Sequence, residues 1–160
     1  SAASDVYKRQ AHTASAMGEV AAENIMGLDA HYDESTNPMT VFMLPEAASV
    51  GMTEDQAKKS GCKYKVGRFP LTANGKALIL NGGEGLIKVI LGEPYGEVLG
   101  VHITGPHASD LIQEAALALR LEATADELIS TIHGHPTVSE AVREAVLAAE
   151  KRAIHMPNRK

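Results

Sequence analysis

Apolar positions recur along the chain at two spacings, and the places where one gives way to the other outline the fold. Ala14, Met17, Ala21 and Ile25 follow helical intervals, and Gly27 supplies a stop. The turn-rich stretch "DESTNP" follows, and "MTVFML" (residues 39–44) then predicts a strand ending at Pro45. Thr53 and Gln56 form a capping box for a short helix that stops at Gly61. "CKYKVGRFPL" is strand-like, and "TANGKALILNGGEG" is read as a loop. "LIKVIL" (86–91) and "VLGVHI" (98–103) flank Glu93-Pro94-Tyr95-Gly96, which suits a type I turn closing an antiparallel hairpin. Leu99, Val101 and Ile103 share one face of the second strand, with His102 on the other. Leu111, Ile112, Ala115, Ala116 and Leu119 make a broad helical stripe. Thr124 and Glu127 cap a further short helix, and the last helix is expected from Val138 to about Lys151.

Strands clustered ahead of helices predict an α+β fold, an antiparallel β-sheet with helices packed on one side. Leu44-Pro45 and His135-Pro136, each at a sharp exit, are the candidates for cis peptide bonds. The first ten residues lack a periodic pattern and read as a non-native or unstructured appendage.

Composition narrows the function. The 160 residues include no Trp, two Phe and four Tyr, so packing must rely on Ala, Leu, Ile, Val and Met. A net charge of -5 argues against a general nucleic-acid partner, and the basic ending reads as a solvated tail. No apolar run has the length of a membrane span and no signal-peptide layout is visible. Cys62 is the single cysteine, which excludes an internal disulfide and makes a cytoplasmic, reducing compartment the expected location; it is expected to be buried as a small apolar residue.

The chemistry concentrates in "HGHPTVSEAVREAV". Thr137 and Glu140 match a capping box at a helix start, a reading under which His133 and His135 are merely exposed loop residues. No Cys, Asp or His nearby has the spacing to complete a zinc set, so no metal is expected. An acid–base reading accounts for more of the residues: Pro136 restricts His135, and Glu140 is near enough to accept a hydrogen bond from one imidazole nitrogen. Chemistry alone leaves cap and acid–base pair open.

These residues, "HGHPTVSEAVREAVLAA", resemble the C-terminal signature of the flavoprotein disulfide reductases (pyridine nucleotide-disulfide oxidoreductases), in particular of dihydrolipoamide dehydrogenases. "AHTASAMGEVAAENIMG", "PEAASVGMTEDQAKKSG", "KVGRFPLTANGKALI", "GEVLGVHITGPHASDLIQEAALAL" and "HMPNRK" continue the likeness in order, so that it spans essentially residues 11–160. The resemblance implies a helix and linker from the end of an FAD-binding domain at 11–37 and a dimerisation domain at 38–160. It implies a homodimer in which His135, oriented by Glu140, handles the proton of a dithiol in the other subunit's active site. It places Ala11 and His12 where the family's backbone approaches the flavin. FAD and NAD are implied as cofactors of the parent enzyme, with a lipoyl-bearing protein as substrate. The family's GxGxxG turn and redox cysteine pair are absent from this sequence, so the chain alone is expected to bind neither cofactor and to show no dehydrogenase activity. The competing expectation is a stand-alone homodimerisation module without catalysis.

Overall fold

The computed structural model describes residues 10–158, which fall into two compact units divided between Asn37 and Pro38. The appendage at residues 1–10 therefore lies outside the described residues except for Gln10. In the first unit, helix α1 spans Ala11–Ile25. Thr13 Oγ1 accepts a hydrogen bond from Asn37 Nδ2 at 3.0 Å, and Asn24 joins the helix end to Ala30 through both of its side-chain polar atoms.

The second unit is built on a five-stranded sheet in the order β1-β2-β5-β4-β3, with every neighbouring pair antiparallel. The strands are β1 (Met39–Val41), β2 (Glu46–Gly51), β3 (Tyr64–Pro70), β4 (Leu86–Gly92) and β5 (Val98–Gly105). The helices are α2 (Glu54–Ser60), α3 (Gly75–Asn81), α4 (Ala108–Arg120), α5 (Ala125–Ser130) and α6 (Glu140–Ala149). The α+β expectation holds. Helix α4 packs on β2 and β5, and α6 on β3 and β4. Between them lie Phe69, Ile87, Val89, Leu91, Val101 and Ile103, all buried, meeting Ile112 and Ala115 of α4 and Ala141, Val142 and Ala145 of α6. Burial of each large side chain in this set contributes roughly 1.5–3 kcal/mol. The opposite face carries the register row Arg68, Lys88, His102 and Ser49. There Glu54 of α2 takes hydrogen bonds from both Arg68 and Lys88, so the short helix serves the face that the two long ones leave open.

Several elements depart from the sequence reading. The strand at residues 39–44 ends at Val41, and the interior strand β2 begins directly after Pro45 in a run of small residues that carry little intrinsic strand preference. Pairing with β1 on one side and β5 on the other makes it a strand. The stretch read as a loop contains α3, whose cap is Asn74 Oδ1 accepting from Ala77 N–H at 2.8 Å and whose stop is Gly82 in the left-handed region. The hairpin forms, but its turn is not type I: Gly96 N–H donates to Gly92 rather than to Glu93, and Gly92 N–H donates to Glu97. The Glu93-Pro94 bond is cis, as are Leu44-Pro45 and His135-Pro136. Helix α6 begins at Glu140, two residues after the expected start. Both other capping boxes are present, at Thr53–Gln56 and at Thr124–Glu127. No helix among the described residues is long and apolar enough to cross a membrane.

The distance between α6 and the sheet is set by one residue. A Cβ on Gly67 of β3 would collide with the carbonyl oxygen of Ala145 and the amide of Ala149, both backbone atoms of α6. Gly67→Ala is expected to lower unfolding free energy by about 3 kcal/mol, the upper end for overpacking, because helix backbone cannot rotate aside. Gly75→Ala, where an added Cβ meets open space, should change it by less than about 1 kcal/mol. Denaturant titration of both variants checks the pair; equal midpoints would contradict the proposed seat.

Candidate acid–base site

Helix α6 projects two carboxylates one turn apart, each holding a histidine. Glu140 Oε1 lies 2.9 Å from His135 Nδ1, while its Oε2 accepts the backbone N–H of Thr137 at 2.9 Å. One carboxylate thus closes the turn and orients the ring. Thr137 does not complete a reciprocal capping box: its hydroxyl donates to Gly134 O at 2.7 Å and lies 2.8 Å from Ser139 Oγ. Glu144, only 4% exposed, accepts the N–H groups of Ile154 and His155 through Oε2 at 3.0 and 3.1 Å. Its Oε1 sits 3.1 Å from His155 Nδ1, an ion-pair distance without hydrogen-bond alignment. Asn158 bonds both backbone groups of Ala153, so the tail is folded back on this anchor.

The two histidines of the HxH pair have opposite surroundings. The His135 side chain is 81% exposed, and its ring bonds only Glu140 among the described residues. The His133 side chain is only 6% exposed, its Nε2 2.8 Å from Glu114 Oε1 on α4 and its Nδ1 3.0 Å from Thr131 O. A cavity of about 230 Å³ beside His133 is lined by Thr131, His133, Glu140, Arg143, Glu144 and His155, among others. Arg143 Nε donates to Ile129 O at 2.8 Å, tying α5 to α6, and Asn74 Nδ2 donates to Thr137 O at 3.0 Å, tying the loop to the α3 cap. Among the described residues no three metal-ligating side chains gather.

Burial raises the proton affinity of Glu140. The Thr137 N–H, the His135 hydrogen bond, and the charges of His135 and His155 together outweigh it and hold the carboxyl below its ordinary value of 4.5. A carboxylate therefore faces His135 Nδ1 at neutral pH. It selects the tautomer with the proton on Nδ1 and leaves the Nε2 lone pair to take a proton from a donor outside.

Residues 37–146 match the family described as pyridine nucleotide-disulphide oxidoreductase, dimerisation domain. The chain belongs to this family. It is 48% identical over 146 residues to a dihydrolipoyl dehydrogenase of Bacillus subtilis, a match covering 91% of this chain and 31% of that protein. With a dihydrolipoyl dehydrogenase of Thermus scotoductus it is 50% identical over 149 residues, covering 93% of this chain and 32% of the other. The crystal structure of LpdA from Mycobacterium tuberculosis superposes with a TM-score of 0.75 at 28% identity, over 81% of this chain and 28% of that one. The flavoprotein disulfide reductase RclA from Escherichia coli, at 24% identity and TM-score 0.72 over 80% of this chain and 30% of that one, shares the fold. The chain thus spans about a third of the length of the curated relatives it matches.

Within this dimerisation domain the structure brings His135 and Glu140 together. Ala11 and His12 are the first two residues of α1, in the other compact unit, and both are exposed. Two readings of the sequence need correction. Cys62 is exposed, its sulfur near Ser60 Oγ and the Ala57 carbonyl, because the Gly61 stop turns it out of α2. His133 is not an exposed loop residue, because Glu114, nineteen residues away in sequence, draws it inward. Glu144 and His155, like Asn74, were not singled out at all; a glutamate on the apolar stripe of α6, one turn after Glu140, was the available signal.

Because its folded-state proton affinity is lowered, Glu140 contributes stability that is present above about pH 4.5 and lost as the pH falls through its lowered value. Thermal unfolding of native chain and Glu140→Gln should therefore differ near neutrality and converge in acid. A Tm gap constant across that range would contradict the assignment.

Proposed function

We propose that the chain is the dimerisation domain of a dihydrolipoyl dehydrogenase and acts in a homodimer. In this reading it supplies His135 and Glu140 to the partner subunit's active site during NAD-dependent oxidation of dihydrolipoamide, carried on a lipoyl-bearing protein. The observation that carries the reading is the exposed imidazole: it is fixed through one nitrogen by a carboxylate, and its other nitrogen faces outward from its own domain. The near-identical share of this chain matched in two dihydrolipoyl dehydrogenases supports the choice of enzyme. An apolar run after β1, with Phe42 and Met43 exposed and Leu44 98% exposed, supports a face that meets another protein surface.

The proton step follows from the residues present. Glu140 accepts from Nδ1–H, so Nε2 of the neutral ring accepts the proton of a substrate thiol; the S–H bond breaks, and a thiolate and an imidazolium remain as an ion pair. Glu140 stabilises the imidazolium, and the ring later returns the proton to solvent. Oxidation of the dithiol requires a disulfide, a flavin and NAD as successive electron acceptors. The 160 residues contain one cysteine and no GxGxxG turn, so these groups are assigned to the remainder of the parent enzyme. Ala11 and His12 are proposed only to bring backbone near that flavin.

A chimera tests this: residues 11–160 replace the stretch they match in the Bacillus subtilis relative. The chimera should oxidise dihydrolipoamide, and His135→Gln should lower the rate by about 10²–10⁴-fold, the usual worth of a positioned acid or base. Native-like turnover by the His135→Gln chimera would favour the domain as a dimerisation module alone.

A further inference from the structure

His133 precedes the proposed proton carrier by two residues, yet its ring faces two groups that only accept hydrogen bonds. The Thr131 carbonyl lies 3.0 Å from Nδ1 and a Glu114 carboxylate oxygen 2.8 Å from Nε2. Both contacts are made as hydrogen bonds only if both nitrogens carry protons. A neutral ring would turn one lone pair toward an acceptor. The geometry therefore selects the imidazolium, in a side chain only 6% exposed.

The loop between α5 and α6 is fastened on both sides of His135. After it, Thr137 is bound by Asn74 from the α3 cap and by Glu140. Before it, the fastening to the rest of the fold is His133 on Glu114, which projects from the middle of α4 and so from a helix seated on β2 and β5. Between the two histidines is Gly134, at which an added Cβ would meet only Thr137 Cγ2, at 3.8 Å. A glycine with open space around it is a point of rotation unless both flanks are held.

We propose that His133 is a positioning residue for His135: clamped as an imidazolium between Glu114 and the Thr131 carbonyl, it fixes the loop on its near side and so aims the exposed ring. The inference rests on the reading that His135 handles the thiol proton. The groups around His133 are Glu114 from α4, Arg143, Glu140 and Glu144 from α6, and His155 from the tail. The hydrogen bond with Glu114 raises its proton affinity above the ordinary 6.5; burial opposes this, the Glu114 charge and the Thr131 carbonyl add to it, and Arg143 opposes. The clamp is thus fully engaged below about pH 6.5 and released as the pH rises through the raised value.

The chimera described above tests the clamp with Glu114→Gln. At pH 6.5 its kcat for dihydrolipoamide should fall about tenfold with KM little changed, the cost of a misaimed group. NADH oxidation by an artificial one-electron acceptor, which bypasses the dithiol, should be unaffected. The deficit should shrink toward unity as the pH is raised through that elevated value and the native ring loses its second proton. A deficit independent of pH would mean a structural role alone and overturn the proposal, as would a native rate at pH 6.5. The His135→Gln chimera separates the two ideas. If it turns over normally, both fall; if it is inactive while Glu114→Gln behaves as native, only the clamp falls. Independently of any rate, ¹⁵N spectra of the 160-residue chain at pH 6.5 should show both His133 ring nitrogens protonated, and a single proton there would overturn the assignment.

Discussion

Everything at the acid–base site depends on how closely α6 approaches the sheet. At Gly67 the helix backbone occupies the space a side chain would need, and Ala141, Ala145 and Ala149 keep the contact face of the helix equally thin. With so few aromatic residues, the domain has few bulky groups to fill a wider gap, and close approach is how it reaches interior density. A helix seated on backbone rather than on long side chains has little freedom to slide or roll. That rigidity passes to Glu140 and Glu144, whose Cα positions are fixed by a contact made on the other side of the same helix.

On this support the site sorts three histidines by environment. His135 remains at the surface on one carboxylate oxygen, His133 is drawn inside by a carboxylate from another helix, and His155 is pinned over a buried one by its own backbone. Each pairing involves a glutamate, but the consequences differ. An exposed ring with one bonded nitrogen can exchange a proton with a visitor, whereas a buried ring with both nitrogens engaged cannot do so without breaking its contacts. Burial and the count of acceptors, more than the identity of the neighbour, separate a ring open to exchange from one locked in place.

How much could be read beforehand follows from the sequence distance over which each feature is decided. The capping boxes at Thr53 and Thr124 and the Glu140–His135 pair are settled within five residues, and all three were legible. The strand β2 was not, since Ala47, Ala48 and Ser49 become extended only through neighbours on both sides. Helix α3 was hidden by the glycines at its two ends, although Asn74 and Gly82 are the cap and stop that a seven-residue helix needs. Cys62 was misplaced because apolar character argues for burial while the Gly61 turn decides direction. His133 and Asn74 depend on Glu114 and Thr137, which are nineteen and sixty-three residues distant, and no local pattern carries such information.

The two carboxylates of α6 stand four positions apart, and successive helical residues are rotated by about 100° about the axis. Point substitutions on the outer surface of this helix leave that phase untouched. Insertion or deletion of a single residue between Glu140 and Glu144 would swing the second carboxylate about a quarter-turn away from His155 and send the tail elsewhere, even with every side chain retained. Length between these positions is therefore constrained as tightly as their chemistry, and variation in the domain should accumulate by replacement there and by changes of length only in the outer turns.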